Sequence, residues 1–271
     1  MKISQVFAAL LFATAAPAHA GTTDWRYSVG VHDFNVPDVS SHTYGLNGSI
    51  AGDQRSDNGQ HFFGSFDIFW DNDKDHLDAD HVPVWWQLHL GSDGDFWHDS
   101  EMHAGWTADL NTRMNTVSSV ERQITALPAL VAGYDSNVFQ ASLQAGPGWF
   151  FLEIDDDAPK EQGYTRAGLR DSTFATAVTA KAALRLGESW AISGMARHWQ
   201  DSGQTLESQY QVVLRGDLSA LMTGFALKQT ALVLSADFYE YNLDIYKQPG
   251  LPPILLWNND VMIRAALESK W

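Results

Sequence analysis

The stretch FDIFWDNDKDHLDADH, Phe66 to His81, begins with aromatics at spaced positions and turns into an acidic run. Asp71, Asp73 and Asp75 alternate, and Asp155, Asp156 and Asp157 make a second cluster beside Glu153. Carboxylates at this density offer the oxygen ligands that Ca²⁺ and Mg²⁺ prefer. The D-x-D-x-D opening of a calcium loop is nevertheless followed by His76 where the turn needs Gly, and by Val82 where a Glu must close the shell. The six aspartates are therefore candidate ligands for Ca²⁺ or Mg²⁺ in exposed loops, with no defined cofactor. The competing reading is a solvated acidic surface. A hydrolytic site needs a nucleophile, a base and an orienting group. Ser41 beside His42 with Asp38 supplies those residue types, and Asp80 beside His81 is an Asp–His pair that could activate water, both without a diagnostic spacing.

What positions these residues is a series of segments with a period of two, the signature of half-buried strands. One face reads Trp25, Tyr27, Val29, Val31; then Tyr44, Leu46, Ile50; then Phe62, Phe66, Ile68, Trp70; then Val84, Trp86, Leu88, Leu90. Eight further segments follow, ending with Val261 to Trp271, for a total of about twelve. The links alternate in kind. GDQRSDNG, GSDGD, YDSN and LGES are turn-like, whereas 36–41, 71–80, 154–171 and 244–258 are longer or acidic. Tryptophans gather at strand ends: Trp25, Trp97, Trp190 and Trp271 at one side, Trp70, Trp149, Trp199 and Trp257 at the other. Apolar faces free of mid-strand charge, two aromatic girdles and alternating link lengths predict an all-β fold, a transmembrane antiparallel up-and-down barrel. Ten or fourteen strands remain open as counts. Closure has a simple cause, because hydrocarbon offers no partner to an open strand edge.

The ends agree. Residues 1–20 hold one Lys, an apolar run and a small-x-small end at Ala18-His19-Ala20, which predicts a secretory leader and a single barrel domain over 21–271. The chain has 0 Cys and a formal charge of -16, a poor basis for binding nucleic acid. The last strand alternates and stops on Trp271. In this it resembles the terminal assembly signal of Gram-negative outer-membrane β-barrel proteins, with Ser269 departing from the commoner apolar choice. The resemblance implies an outer-membrane location, lipid and lipopolysaccharide as neighbours, and recognition of the C-terminal strand by the barrel-assembly machinery. MARHWQDSGQ, Met195 to Gln204, also resembles a segment of the nucleoside-specific outer-membrane channels. There the segment lies near the C-terminus, whereas here Thr205 through Trp271 still follow, so no residue role is carried over.

The face opposite the apolar one should point into the barrel. It carries Arg26, Asp67, His89, Asp109, Arg113, Glu121, Lys181, Arg185, Arg197, Glu207, Arg215, Asp237 and Arg264, with His32, His103, Glu268 and others beside them. Facing rows of bases and acids suit a channel for passive or selective diffusion of small polar solutes. The same rows suit a plugged barrel, structural or adhesive, whose charges pair to fill the interior. A hydrolase at the rim is the third reading.

Overall fold

The computed structural model describes residues 23–37, 41–56, 59–72, 84–114, 120–154, 161–219, 229–252 and 258–270. Twelve strands form one closed antiparallel barrel in which each pairs with its sequence neighbours and the first with the last. They are β1 (Thr23–Val36), β2 (Ser41–Arg55), β3 (His61–Asp71), β4 (Val84–Asp99), β5 (Met102–Met114), β6 (Val120–Asp135), β7 (Phe139–Ile154), β8 (Arg170–Leu186), β9 (Trp190–Asp201), β10 (Gln204–Asp217), β11 (Thr230–Tyr241) and β12 (Asn259–Lys270). The closing seam runs from Arg26 opposite Lys270 to Asn35 opposite Val261, so no edge is left open.

The alternation read from the sequence sorts the side chains. Val29, Leu130 and Phe174 point outward and are 73%, 67% and 70% exposed, with Leu46, Trp70, Tyr210 and Ile263 in the same belt. An apolar surface of that extent around a whole molecule is stable against hydrocarbon, not water. No helix among the described residues is long and apolar enough to cross a membrane; the crossing elements are strands.

Local departures from the expected layout have physical causes. Gly91 to Asp95, read as a turn, lies inside β4, which continues to Asp99 and turns at Ser100 and Glu101. The alternation of link lengths also fails at both ends. At the end with the longer connections, β9 and β10 join through two residues, Ser202 and Gly203, at φ 50° and 83°. Positive φ at both positions matches the strand twist, as in a type I′ hairpin. At the opposite end, β10 and β11 are joined by 218–229. Between β6 and β7 the ladder is interrupted around Pro128 and Pro147, neither of which has an N–H to donate. Gly148 lies in this gap. A Cβ there would come 2.5 Å from the Ala126 carbonyl and 2.8 Å from the Trp199 ring, so the inward Trp199 requires glycine beside it.

Candidate functional site

The barrel interior is divided into two levels. Toward the long-loop end, the inward positions of β1, β3, β4 and β12 carry Phe34, Val36, Phe69, Trp85 and Met262, which form one buried cluster. Trp85 stacks on Phe69 with ring centroids 3.9 Å apart. On the other side, Leu127, Phe150, Leu152, Ile154 and Trp199 pack with Tyr164, Leu169, Leu243 and Tyr246, which arrive from the segments that follow β7 and β11. Tyr164 fixes these two segments to one another by donating its hydroxyl to the Pro252 carbonyl at 2.6 Å. Burial pushes the Tyr246 phenol up, and Asp171 pushes in the same direction.

Between the two clusters Arg113 crosses the interior. It projects from β5 and donates to Asp260 on β12 at 3.0 and 3.2 Å and to the Tyr241 hydroxyl on β11. Its guanidinium lies 4.3 Å from the centroid of the Tyr239 ring. β11 is six strands from β5 in either direction around the ring, so this contact spans the full diameter. Gln123 donates to Glu207 at the same level. Phe34, Phe69, Trp85, Phe150, Leu152, Trp199 and Asp260 are each at most 1% exposed, so water has no path between them in this conformation.

The level toward the short turns is different. A cavity of about 740 Å³ occupies it, lined by polar and charged side chains. At its deep wall Arg264 bridges Asp67 on β3 at 3.4 Å and Asp237 on β11 at 3.2 Å, and Gln211 donates to the same Asp237 at 2.6 Å. His89 pairs with Asp109 at 3.0 Å. Lys181 and Arg197 line the wall formed by β8 and β9. Nearer the mouth, His61 lies between Asp53 at 2.9 Å and Asp93 at 3.1 Å, and His103 lies 3.9 Å from Asp135. Exposed side chains such as Asp95, His98 and Gln140 complete that end, so the cavity opens there to solvent.

Most of the residues expected inside are inside. Asp67, His89, Arg113, Lys181, Arg197, Glu207, Asp237 and Arg264 line the cavity or its ceiling, and Asp109 is buried behind His89. Arg26, Arg185 and Arg215 take inward positions at the short-turn rim, where Arg215 pairs with Glu268 at 2.5 Å.

Glu121 does not line the lumen. An irregularity between Val120 and Arg122 makes it the extra residue of a bulge. Its carboxylate lies 3.8 Å from Arg166 on the outer rim. There Arg122, Arg166 and Arg170 converge on Glu153, which takes them at 3.5, 3.1 and 2.5 Å and is 1% exposed.

Asp71 is likewise no loop ligand. It is the last residue of β3, turned inward, and both carboxylate oxygens are occupied: one by His32 at 2.6 Å, the other by the Trp85 indole N–H at 2.8 Å. Asp73, Asp75, Asp155, Asp156 and Asp157 lie outside the described residues, as do Asp38, Asp80 and His81. No group of three or more potential metal ligands is assembled among the described residues. Trp199, expected in a girdle, faces inward and is 0% exposed.

Asp260, Tyr239 and Tyr241 were not expected as partners of Arg113. Their inward parity was available, but which strand faces which depends on closure. The MARHWQDSGQ segment forms the end of β9 and the tight turn into β10.

No family model matches the chain, and no curated protein matches it. Among solved structures it is similar to the KdgM porin in complex with disordered oligogalacturonate, at 8% identity and a TM-score of 0.46 over 92% of this chain and 99% of that one. It is similar to an outer membrane channel from Pseudomonas putida F1, at 9% identity and 0.48 over 94% and 97%. It is also similar to outer membrane phospholipase A from Escherichia coli, at 10% identity and 0.45 over 91% and 90%. Scores and identities this low, shared between channels and a lipase, carry no argument about what this barrel does.

Proposed function

We propose that this chain is an outer-membrane channel for small polar solutes, closed in this conformation at its long-loop end. The observation that carries the reading is the charge-lined cavity of about 740 Å³ along the barrel axis, which ends against side chains and not against backbone. Opening such a ceiling breaks side-chain contacts and no ladder bond, so a ceiling of this kind can serve as a gate. The outward apolar belt suits outer-membrane lipid, lipopolysaccharide included. The leader-like residues 1–20 and the alternating final strand suit export and recognition by the barrel-assembly machinery. Asp73, Asp75, Asp155, Asp156 and Asp157 would meet the anionic outer surface through bridging Ca²⁺ or Mg²⁺. That role requires a calcium-dependent rise in thermal stability that disappears when Asp73 and Asp75 become Asn.

Planar-bilayer recording tests the channel itself. Wild-type barrel should give small or brief conductance steps, and Arg113→Ala should give larger or longer ones, because the cross-link over the diameter is gone. The plugged, structural reading has an observation of its own, the fully buried Arg113–Asp260 pair. It prevails if both proteins run as folded barrels on unboiled gels yet neither conducts nor swells liposomes.

A further inference from the structure

The charged residues of the cavity are not equally satisfied. Arg264 is held by two carboxylates, and Arg113 by one carboxylate and a phenol. Lys181 and Arg197 touch no carboxylate. Among the described residues the Lys181 ammonium makes no hydrogen bond and no ion pair, and Arg197 makes one bond, from Nε to the Thr179 hydroxyl at 3.1 Å. Arg197 is nevertheless 7% exposed.

The strand register places the two together. Thr179 stands opposite Arg197 and Lys181 opposite Met195, so Lys181 and Arg197 are diagonal neighbours on the inward face of β8 and β9. Side chains of this length reach one another across such a diagonal. Two like charges brought together in a sheltered wall are unfavourable unless an anion joins them. Asp93, Asp109 and Glu207 act on the pair only from beyond ion-pair distance, and their direct bonds go to other groups: Asp93 pairs with His61, Asp109 accepts from His89 and Thr107, and Glu207 accepts from Gln123. A third group completes the picture. Gln144 stands opposite Thr179 on the β7 side of the same row, is 6% exposed, and its amide oxygen has no partner. An amide turned about its last bond presents N–H in place of that oxygen.

We propose that Lys181, Arg197 and Gln144 form an anion seat in the cavity wall that holds the carboxylate or phosphate end of a small solute. The guanidinium supplies paired N–H donors suited to either oxyanion, the ammonium a mobile charge, and the amide a neutral donor. All three face the cavity, which has room for a small organic molecule. The seat rests on the channel reading for its purpose and names the class of solute that the channel would favour. Its existence as a binding site stands on its own geometry.

The test uses the folded full-length barrel in detergent at constant ionic strength in chloride. It is titrated separately with succinate and with inorganic phosphate in a calorimeter. Saturable binding of at least one anion is expected, and Lys181→Gln or Arg197→Gln should raise the half-saturating concentration about tenfold or more. Lys181→Arg should retain binding. Succinate alone binding assigns carboxylate solutes, and phosphate alone assigns phosphorylated ones. Unboiled gel mobility reports folding. Lys181→Gln carries the test if Arg197→Gln does not fold, since it removes no bond present in the structure. The proposal is overturned if wild type binds neither anion saturably, or if the folded charge-removing variants bind as wild type does. Conductance without anion binding discards the seat and keeps the channel, whereas saturable binding without conductance keeps the seat and discards the channel.

Discussion

The two halves of the barrel interior share the same strands and are built on different rules. Toward the long loops, inward positions carry Phe34, Phe69, Trp85, Phe150 and Trp199, and the charged groups among them are paired at bonding distance. Toward the short turns, inward positions carry histidine, aspartate, glutamine and basic residues around open space, and among the described residues the Lys181 ammonium and the Gln144 amide oxygen reach no partner. A barrel of ~8 strands is filled by its own side chains and one of 16–18 leaves a channel. With twelve strands this protein does both at successive levels. Ring count alone therefore does not decide whether a barrel of intermediate size is open; the volume of the inward residues at each level does.

If that contrast is right, truncations should be costly in one half and cheap in the other. The largest effect is expected from Arg113→Ala, which leaves the Asp260 carboxylate buried and uncompensated. A loss of about 3–5 kcal/mol is expected, read as a lower midpoint in urea unfolding of the lipid-embedded barrel. Next comes Trp85→Phe, which keeps the stacking on Phe69 but removes the N–H held by Asp71. About 1–3 kcal/mol should be lost, with unboiled gel mobility retained at low temperature. Lys181→Gln, on the cavity wall, removes no bond present in the structure and should change stability by no more than about 0.5 kcal/mol. A cost comparable to that of Arg113→Ala would mean that the cavity level is as dry as the level above it. The smallest effect belongs to Lys270→Ala at the short-turn rim. Its bond to Asp24 is 2.7 Å long, but the two side chains are 38% and 54% exposed. Screening by water and salt should leave no resolvable shift.

The strands were legible because their signal repeats. With an apolar outer face, inward and outward follow from parity alone, and Arg197, Asp237 and Arg264 were placed by that rule. The rule fails where parity slips or where a strand outlasts its pattern. Glu121 sits at a bulge that nothing in VERQI announces, so one extra residue turned it to the outer rim. Asp71 continues β3 by one residue past Trp70, and that step carried a presumed loop ligand into a buried bond with His32. Trp199 looked like a girdle residue because tryptophan near a strand end usually is one; its odd position, shared with Arg197, pointed the other way. The cross-strand partnerships over the interior, Arg113 with Asp260 above all, were not legible. They join residues 147 positions apart across the ring, and no local spacing encodes a diameter.

A closed sheet one strand thick resists stretching along its ladders far better than it resists being squashed into an ellipse, a deformation that breaks no ladder bond. Arg113, anchored on β5 and grasped by β11 and β12, ties opposite walls at one height. Among the described residues no bond of that span braces the short-turn half; Arg264, which joins Asp67 on β3 to Asp237 on β11, reaches across only four strands. The barrel should therefore be round and stiff under its long loops and able to ovalise below, so that lateral pressure from the surrounding bilayer changes the width of the cavity while the ceiling keeps its shape.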